Sequence, residues 1–124
     1  MRIESLPNKL KLLLKQILMG TIILTRESCN KEVSVLIGQD VILGLLENPT
    51  TGYVWKYELS GDKVRLTGND YKMMRDVSIG KKGARFFNFK VVKAGAIDIV
   101  MNLTSAVEKN GTGIEQCNIR LLAR

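Results

Sequence analysis

From Glu32 to Ala123 apolar and polar residues alternate with a period of two, and this constrains the fold more than any other feature of the chain. "VSVLI" (33–37) stops at Gly38, and "DVILGLL" (40–46) runs into the loop "ENPTTGY" (47–53). "YVWKYEL" (53–59) then places Tyr53, Trp55, Tyr57 and Leu59 on one face and Val54, Lys56 and Glu58 on the other. After the turn Ser60-Gly61-Asp62 come "KVRLT" (63–67) and the weaker "DYKMMRDV" (70–77), read as an edge or irregular strand. "ARFFNFKVV" (84–92) keeps Phe87, Phe89 and Val91 in phase, and "AIDIVMNLT" (96–104) does so with Ile97, Ile99, Met101 and Leu103. Asn110-Gly111 supplies the positive φ angles of a hairpin turn, and "EQCNIRLLA" (115–123) puts Cys117, Ile119, Leu121 and Ala123 on one face. Turn signals every ~8–12 residues, with no helical period in the body, predict an all-β antiparallel sandwich.

A chain of 124 residues suits one such domain. Its net charge of +7 raises the question of a nucleic-acid or membrane partner, so the location of the charge matters. Residues 1–31 hold six Lys/Arg against two Glu, and the other 93 residues hold thirteen basic against ten acidic groups. Most of the excess is therefore N-terminal, and the body does not read as a nucleic-acid binder. The chain contains no His, which removes the usual general base, the commonest metal ligand and any Ser-His or Cys-His nucleophile pair. Two cysteines cannot build a structural zinc site. No enzyme and no cofactor is expected. Cys117 reads as a small buried hydrophobe rather than as the disulfide partner of Cys29, and Trp55 as core.

Residues 1–31, "MRIESLPNKLKLLLKQILMGTIILTRESCNK", form a separate apolar and basic segment, with the sandwich expected over 32–124. Arg2, Lys9, Lys11 and Lys15 precede the uncharged run Gln16–Thr25, which has the ~7–15-residue length of a signal-peptide core. Ser28-Cys29-Asn30 resembles a bacterial lipoprotein cleavage site, although Arg26 and Glu27 stand where small or apolar residues belong. On that reading the protein is secreted or held at the cell envelope, through residues 1–31 or a lipidated Cys29. The other reading is an amphipathic helix, with Leu10, Leu13, Leu14, Ile17 and Leu18 at three-to-four spacing, which packs on the domain or lies on an anionic surface. It leaves a cytoplasmic or vesicular location open. Asn102-Leu103-Thr104 and Asn110-Gly111-Thr112 fit glycosylation sequons, a pattern common by chance.

Binding commonly lives on loops carried by a rigid sandwich, and three stand out: 47–53, 78–83 and 105–114. "NPTTGYVW" resembles the first signature of the chagasin family, inhibitors of papain-like cysteine proteases with an immunoglobulin-like fold. The family pattern Asn-Pro-Thr-Thr-Gly-aromatic, followed shortly by Trp, is reproduced by Asn48 to Tyr53 and Trp55. "KAGAIDIVMNLT" is also similar to the family's Ala-Gly turn and the strand that leads to its third loop, so the resemblance spans about residues 32–123.

The resemblance implies a monomeric, reversible inhibitor that works by occlusion. The first loop enters the protease cleft and covers the catalytic cysteine, while loops 80–85 and 105–112 flank it. It carries a contact role onto Pro49, Thr50, Thr51 and Gly52, places Tyr53 beside them, and gives Asn48 a bracing role. Proline and two β-branched threonines stiffen such a tip, and the threonine pair exceeds what a plain corner requires. The second loop departs from the family's Gly-x-Gly-Gly: Gly80 and Gly83 match, but Lys82 replaces the middle glycine, which either blocks close backbone contact or sets Lys81, Lys82 and Arg85 against an acidic rim. In the third loop Val107, Glu108 and Lys109 stand where Arg-Pro-aromatic is usual. Interface aromatics and arginines are frequent hot spots, so weaker or differently targeted inhibition is expected. The rival reading is a non-inhibitory immunoglobulin-like adhesion or interaction module of the envelope.

Overall fold

The computed structural model describes residues 7–10, 20–73, 83–107 and 113–124. Eight strands run in chain order: β1 (Thr21–Leu24), β2 (Lys31–Val35), β3 (Asp40–Glu47), β4 (Tyr53–Leu59), β5 (Val64–Met73), β6 (Gly83–Val91), β7 (Gly95–Ser105) and β8 (Glu115–Ala123). They form two four-stranded sheets, ordered β1-β3-β6-β5 and β2-β8-β7-β4. Inward-phase residues of both sheets make the core: Val41, Leu43 and Leu45 from β3, Phe87, Phe89 and Val91 from β6, Ile97, Ile99 and Met101 from β7, and Cys117, Ile119 and Leu121 from β8. Tyr57 meets the rings of Phe87 and Phe89 edge-on, each at 6.0 Å between centroids, which joins the two sheets. A two-sheet sandwich is what the alternation predicts, and the immunoglobulin-like form of it is what the resemblance implies.

Four details differ from that expectation. The sandwich begins ahead of residue 32, because Thr21–Leu24 lies inside the run assigned to a signal core yet pairs in parallel with Asp40–Leu43. Its β-branched residues suit an edge strand, and a short apolar run does not distinguish the two by periodicity. A second parallel pair joins Lys31–Val35 to Ile119–Ala123, so the sheets are not wholly antiparallel. The expected runs 63–67 and 70–77 are not two strands: Val64–Met73 is one edge strand, β5, with a register shift between Leu66 and Gly68, and residues 74–77 lie outside the described residues. Such bulges re-aim and bend an edge strand.

The fourth difference is chemical: Cys29 and Cys117 form a disulfide, with Cα atoms 5.0 Å apart. The reading of Cys117 as a free buried hydrophobe is thereby corrected, and so is a lipidated Cys29, whose sulfur is occupied. The parallel β2–β8 pairing brings the two together, since Asn30 N–H donates to the Asn118 carbonyl beside them (2.6 Å). Most of residues 1–19 lie outside the described residues. Among those described, no helix is long and apolar enough to cross a membrane.

Candidate functional site

The three loops of interest leave one end of the sandwich. Pairing of Glu47 with Gly83, of Met73 with Gly83, of Tyr53 with Ser105 and of Leu103 with Glu115 brings their roots together. The first loop also carries the chain from one sheet to the other, β3 belonging to the first and β4 to the second. It therefore bridges the layers where the other two close hairpins within a sheet.

Within this loop Pro49–Thr51 makes one 3-10 turn, and most of its polar groups are satisfied locally. Asn48 Oδ1 accepts from the Thr50 N–H (3.1 Å) and from the Thr50 hydroxyl (2.6 Å). The Asn48 carbonyl accepts from the Thr51 N–H (3.1 Å) and the Thr51 hydroxyl (2.7 Å). The threonine pair is thus not surplus to the corner: both hydroxyls turn back onto Asn48. Gly52 sits at φ +80°, a region that side-chain-bearing residues rarely adopt, and its carbonyl accepts from the Ala106 N–H at 2.8 Å. That bond ties the tip to the root of the third loop. Thr50, Thr51 and Gly52 are exposed, while Asn48 and Tyr53 are half-buried.

Below the tip lies a polar strut that the sequence reading missed. Glu47 ends β3 rather than opening the loop, and its side chain is 1% exposed. One carboxylate oxygen accepts from the Trp55 backbone N–H (2.8 Å), and the other from Arg85 Nε (2.7 Å). The Trp55 indole N–H donates to the Leu46 carbonyl (2.8 Å), which closes the base of the loop a second time. Arg85 continues through Nη1 to Asn69 Oδ1 (2.9 Å) and lies over the Tyr71 ring. Arg85 therefore braces the roots of the first two loops through Glu47, where the sequence reading set it against the acidic rim of a protease. The signal was present as phase: Glu47 continues the inward series 41, 43, 45, and Arg85 precedes the inward series 87, 89, 91.

Gly83, a family match in the second loop, has an internal reason to be glycine, because the Tyr71 hydroxyl and the Lys72 carbonyl occupy the space a Cβ would need. Val107 is exposed at the root of the third loop. Gly80, Lys81, Lys82, Glu108 and Lys109 lie outside the described residues. Among the described residues, the two carboxylates held below the ordinary range are elsewhere. Asp62 is lowered by its hydrogen bond to Lys93, at the turn after β4, and Asp98 by its hydrogen bond to Arg120 on β8.

Four of the five most exposed large hydrophobic residues among those described flank the loops: Leu46, Met73, Val107 and Ile114, between 59% and 88% exposed. Isolated exposed hydrophobics are ordinary, whereas these four are concentrated at one end of the sandwich.

Comparison with known proteins gives the family and the fold. The family model described as chagasin family peptidase inhibitor I42 matches residues 34–120. No curated protein matches the sequence. Among solved structures, the cysteine protease inhibitor EhICP2 from Entamoeba histolytica is similar with a TM-score of 0.74 at 21% identity, over 84% of this chain and 95% of that one. Amebosin, solved in solution, gives 0.66 at 19% identity over 85% and 99%. PbICP-C, solved in complex with falcipain-2, gives 0.57 at 16% over 86% and 91%. At these identities the structural likeness is one of fold.

Proposed function

The chain belongs to the chagasin family of peptidase inhibitors, which are not enzymes, and from that premise we propose that it inhibits papain-like cysteine proteases reversibly, by occlusion. The observation that carries this reading is the Thr50-Thr51-Gly52 tip, exposed yet hydrogen-bonded to Asn48 and to Ala106. A tip fixed before binding loses little conformational freedom when it enters a cleft, so its contact energy is not offset by ordering. Occlusion asks for no nucleophile, base or metal in the inhibitor. It asks for a stiff wedge whose polar groups are largely occupied and whose outer surface is small. The β3–β4 crossover supplies the wedge, Pro49–Gly52 its edge, and the roots of the other two loops its flanks. One relative in fold, PbICP-C, is held in complex with falcipain-2, and the same mode of use is proposed here.

The Cys29–Cys117 bond supports a place for this protein in an oxidising compartment, secreted or at the cell envelope. Electrospray mass of the protein from its source tests this: a mass two hydrogen atoms below the reduced value is expected, and two free thiols would overturn it.

The function is tested by titrating the full chain against papain with a fluorogenic peptide substrate. Dose-dependent, reversible inhibition is expected, and none at micromolar concentrations of folded protein would leave an interaction module instead. Thr50→Ala with Thr51→Ala is expected to weaken inhibition about 100-fold, or ~2.7 kcal/mol, as hot-spot losses do. The pair removes contact surface and loosens the turn together. Global stability should change by less than about 1 kcal/mol, since the lost bonds are exposed and local. Loss of the fold in step with inhibition would return the loop to a structural corner.

A further inference from the structure

Between the first loop and the roots of the other two lies an open groove of about 400 Å³. Leu46, Asn48, Thr51 and Tyr53 line one side, and Leu103 and Ile114 the other, with Gly83 at one end. Leu46 and Ile114 are 66% and 61% exposed, so the walls are apolar surface left in water. Glu47 also borders the groove, but its carboxylate is closed by the Trp55 N–H and by Arg85. Asn48 Oδ1 is turned onto Thr50 in the same way. No free charge therefore faces the groove from its described walls, and a charged occupant would lose its hydration without a partner.

We infer that this groove receives an uncharged, apolar side chain from the rim of the bound protease's cleft, and that Leu46 and Ile114 select for it. The inference rests on the inhibitory reading above. Its occupant follows from three features: apolar walls, the absence of an available counter-charge among the described lining residues, and continuity with the tip through Asn48 and Thr51. A volume of about 400 Å³ lies within the ~300–1,000 Å³ range of small-ligand clefts, which is room for a large side chain. The third loop lacks the family's aromatic and arginine, and the groove lies at the root of that loop, where Leu103 and Ile114 line it. Where the family's third loop carries a projecting Arg-Pro-aromatic, this chain has Val107 at that position and a receptacle beside it. The direction of the knob-and-hole contact is reversed, and a protease with an apolar projection at its rim is preferred over one with an acidic rim.

The test uses the full chain with papain as probe. Leu46→Thr and Ile114→Thr keep strand-compatible residues and remove apolar wall, and each is expected to raise Ki about tenfold. The factor should be the same at low and high NaCl, because no charge is removed. Ile23→Thr, equally exposed but on β1 at the other end of β3, should leave Ki unchanged. Inhibition retained within about twofold by both wall variants, beside an inhibitory wild type, overturns the groove and leaves the occluding tip standing. An equal loss in Ile23→Thr, or a salt-dependent loss in the wall variants, also overturns it. A wild type that does not inhibit overturns both readings.

Discussion

Arg85→Met is expected to lower the folding free energy by about 3 kcal/mol, the scale of breaking a buried ion pair from one side. The cost lies with the partner left behind. Glu47 is 1% exposed, and without Arg85 its charge keeps only the Trp55 N–H as donor. Methionine preserves much of the apolar stem of arginine, so the measurement isolates the charge and its hydrogen bonds. Arg85 itself is 24% exposed, so the opposite change is milder: Glu47→Gln keeps an acceptor for Trp55 and leaves the guanidinium partly in water. About 1–2 kcal/mol is expected there. The double variant should fall short of the sum by about 1–2 kcal/mol, because the second change removes what the first had stranded. Trp55, the only tryptophan, reports the transition by its fluorescence in urea. Inhibition should weaken beyond the loss of folded protein, since Glu47 joins both ends of the first loop to the strand that carries the second. A loss under about 0.5 kcal/mol, with additive effects, would show the strut to be ornamental.

The sandwich was legible because alternation survives in every core strand: a period of two places Phe87 and Phe89, Ile97 to Met101, and Cys117 to Ala123 on one face without further knowledge. The site was legible only as a motif. Asn-Pro-Thr-Thr-Gly marked the tip, but nothing local says that both hydroxyls fold back on Asn48, because that depends on the turn's closure. Glu47 was misplaced into the loop since a carboxylate at an inward position looks like the end of a strand until its partner is known. That partner, Arg85, is 38 residues away and carried a rival assignment as a surface contact. Long-range parallel pairing was equally invisible. β1 and β2 are short edge strands whose partners lie on β3 and β8, and no turn signal connects them. Cys29 inherits that blindness, sitting in the unpatterned link between the two.

Replacing Cys29 and Cys117 together by alanine is expected to cost about 3 kcal/mol and to lower Tm by about 10 °C. The bond closes a sequence separation of 88 residues, for which the chain-entropy model gives about 4–5 kcal/mol, and measured values commonly fall below that model. Part of the cost comes from the core, since Cys117 is fully buried opposite Met101 on β7. The loss should be uneven. β2 is held in its sheet by one neighbour, over Lys31–Val35, and the disulfide sits immediately before it. Reduction should therefore raise hydrogen exchange first at residues 30–35, while the β6 and β7 amides stay protected. The loop end draws its order from Glu47 on β3, Arg85 on β6 and Asn48 in the first loop, so inhibition should persist in the reduced protein below its lowered Tm. Dithiothreitol that leaves Tm unchanged would show that the bond adds nothing to the fold. Inhibition lost at temperatures where the reduced chain is still folded would show instead that the N-terminal strands, and not the strut alone, hold the wedge in place.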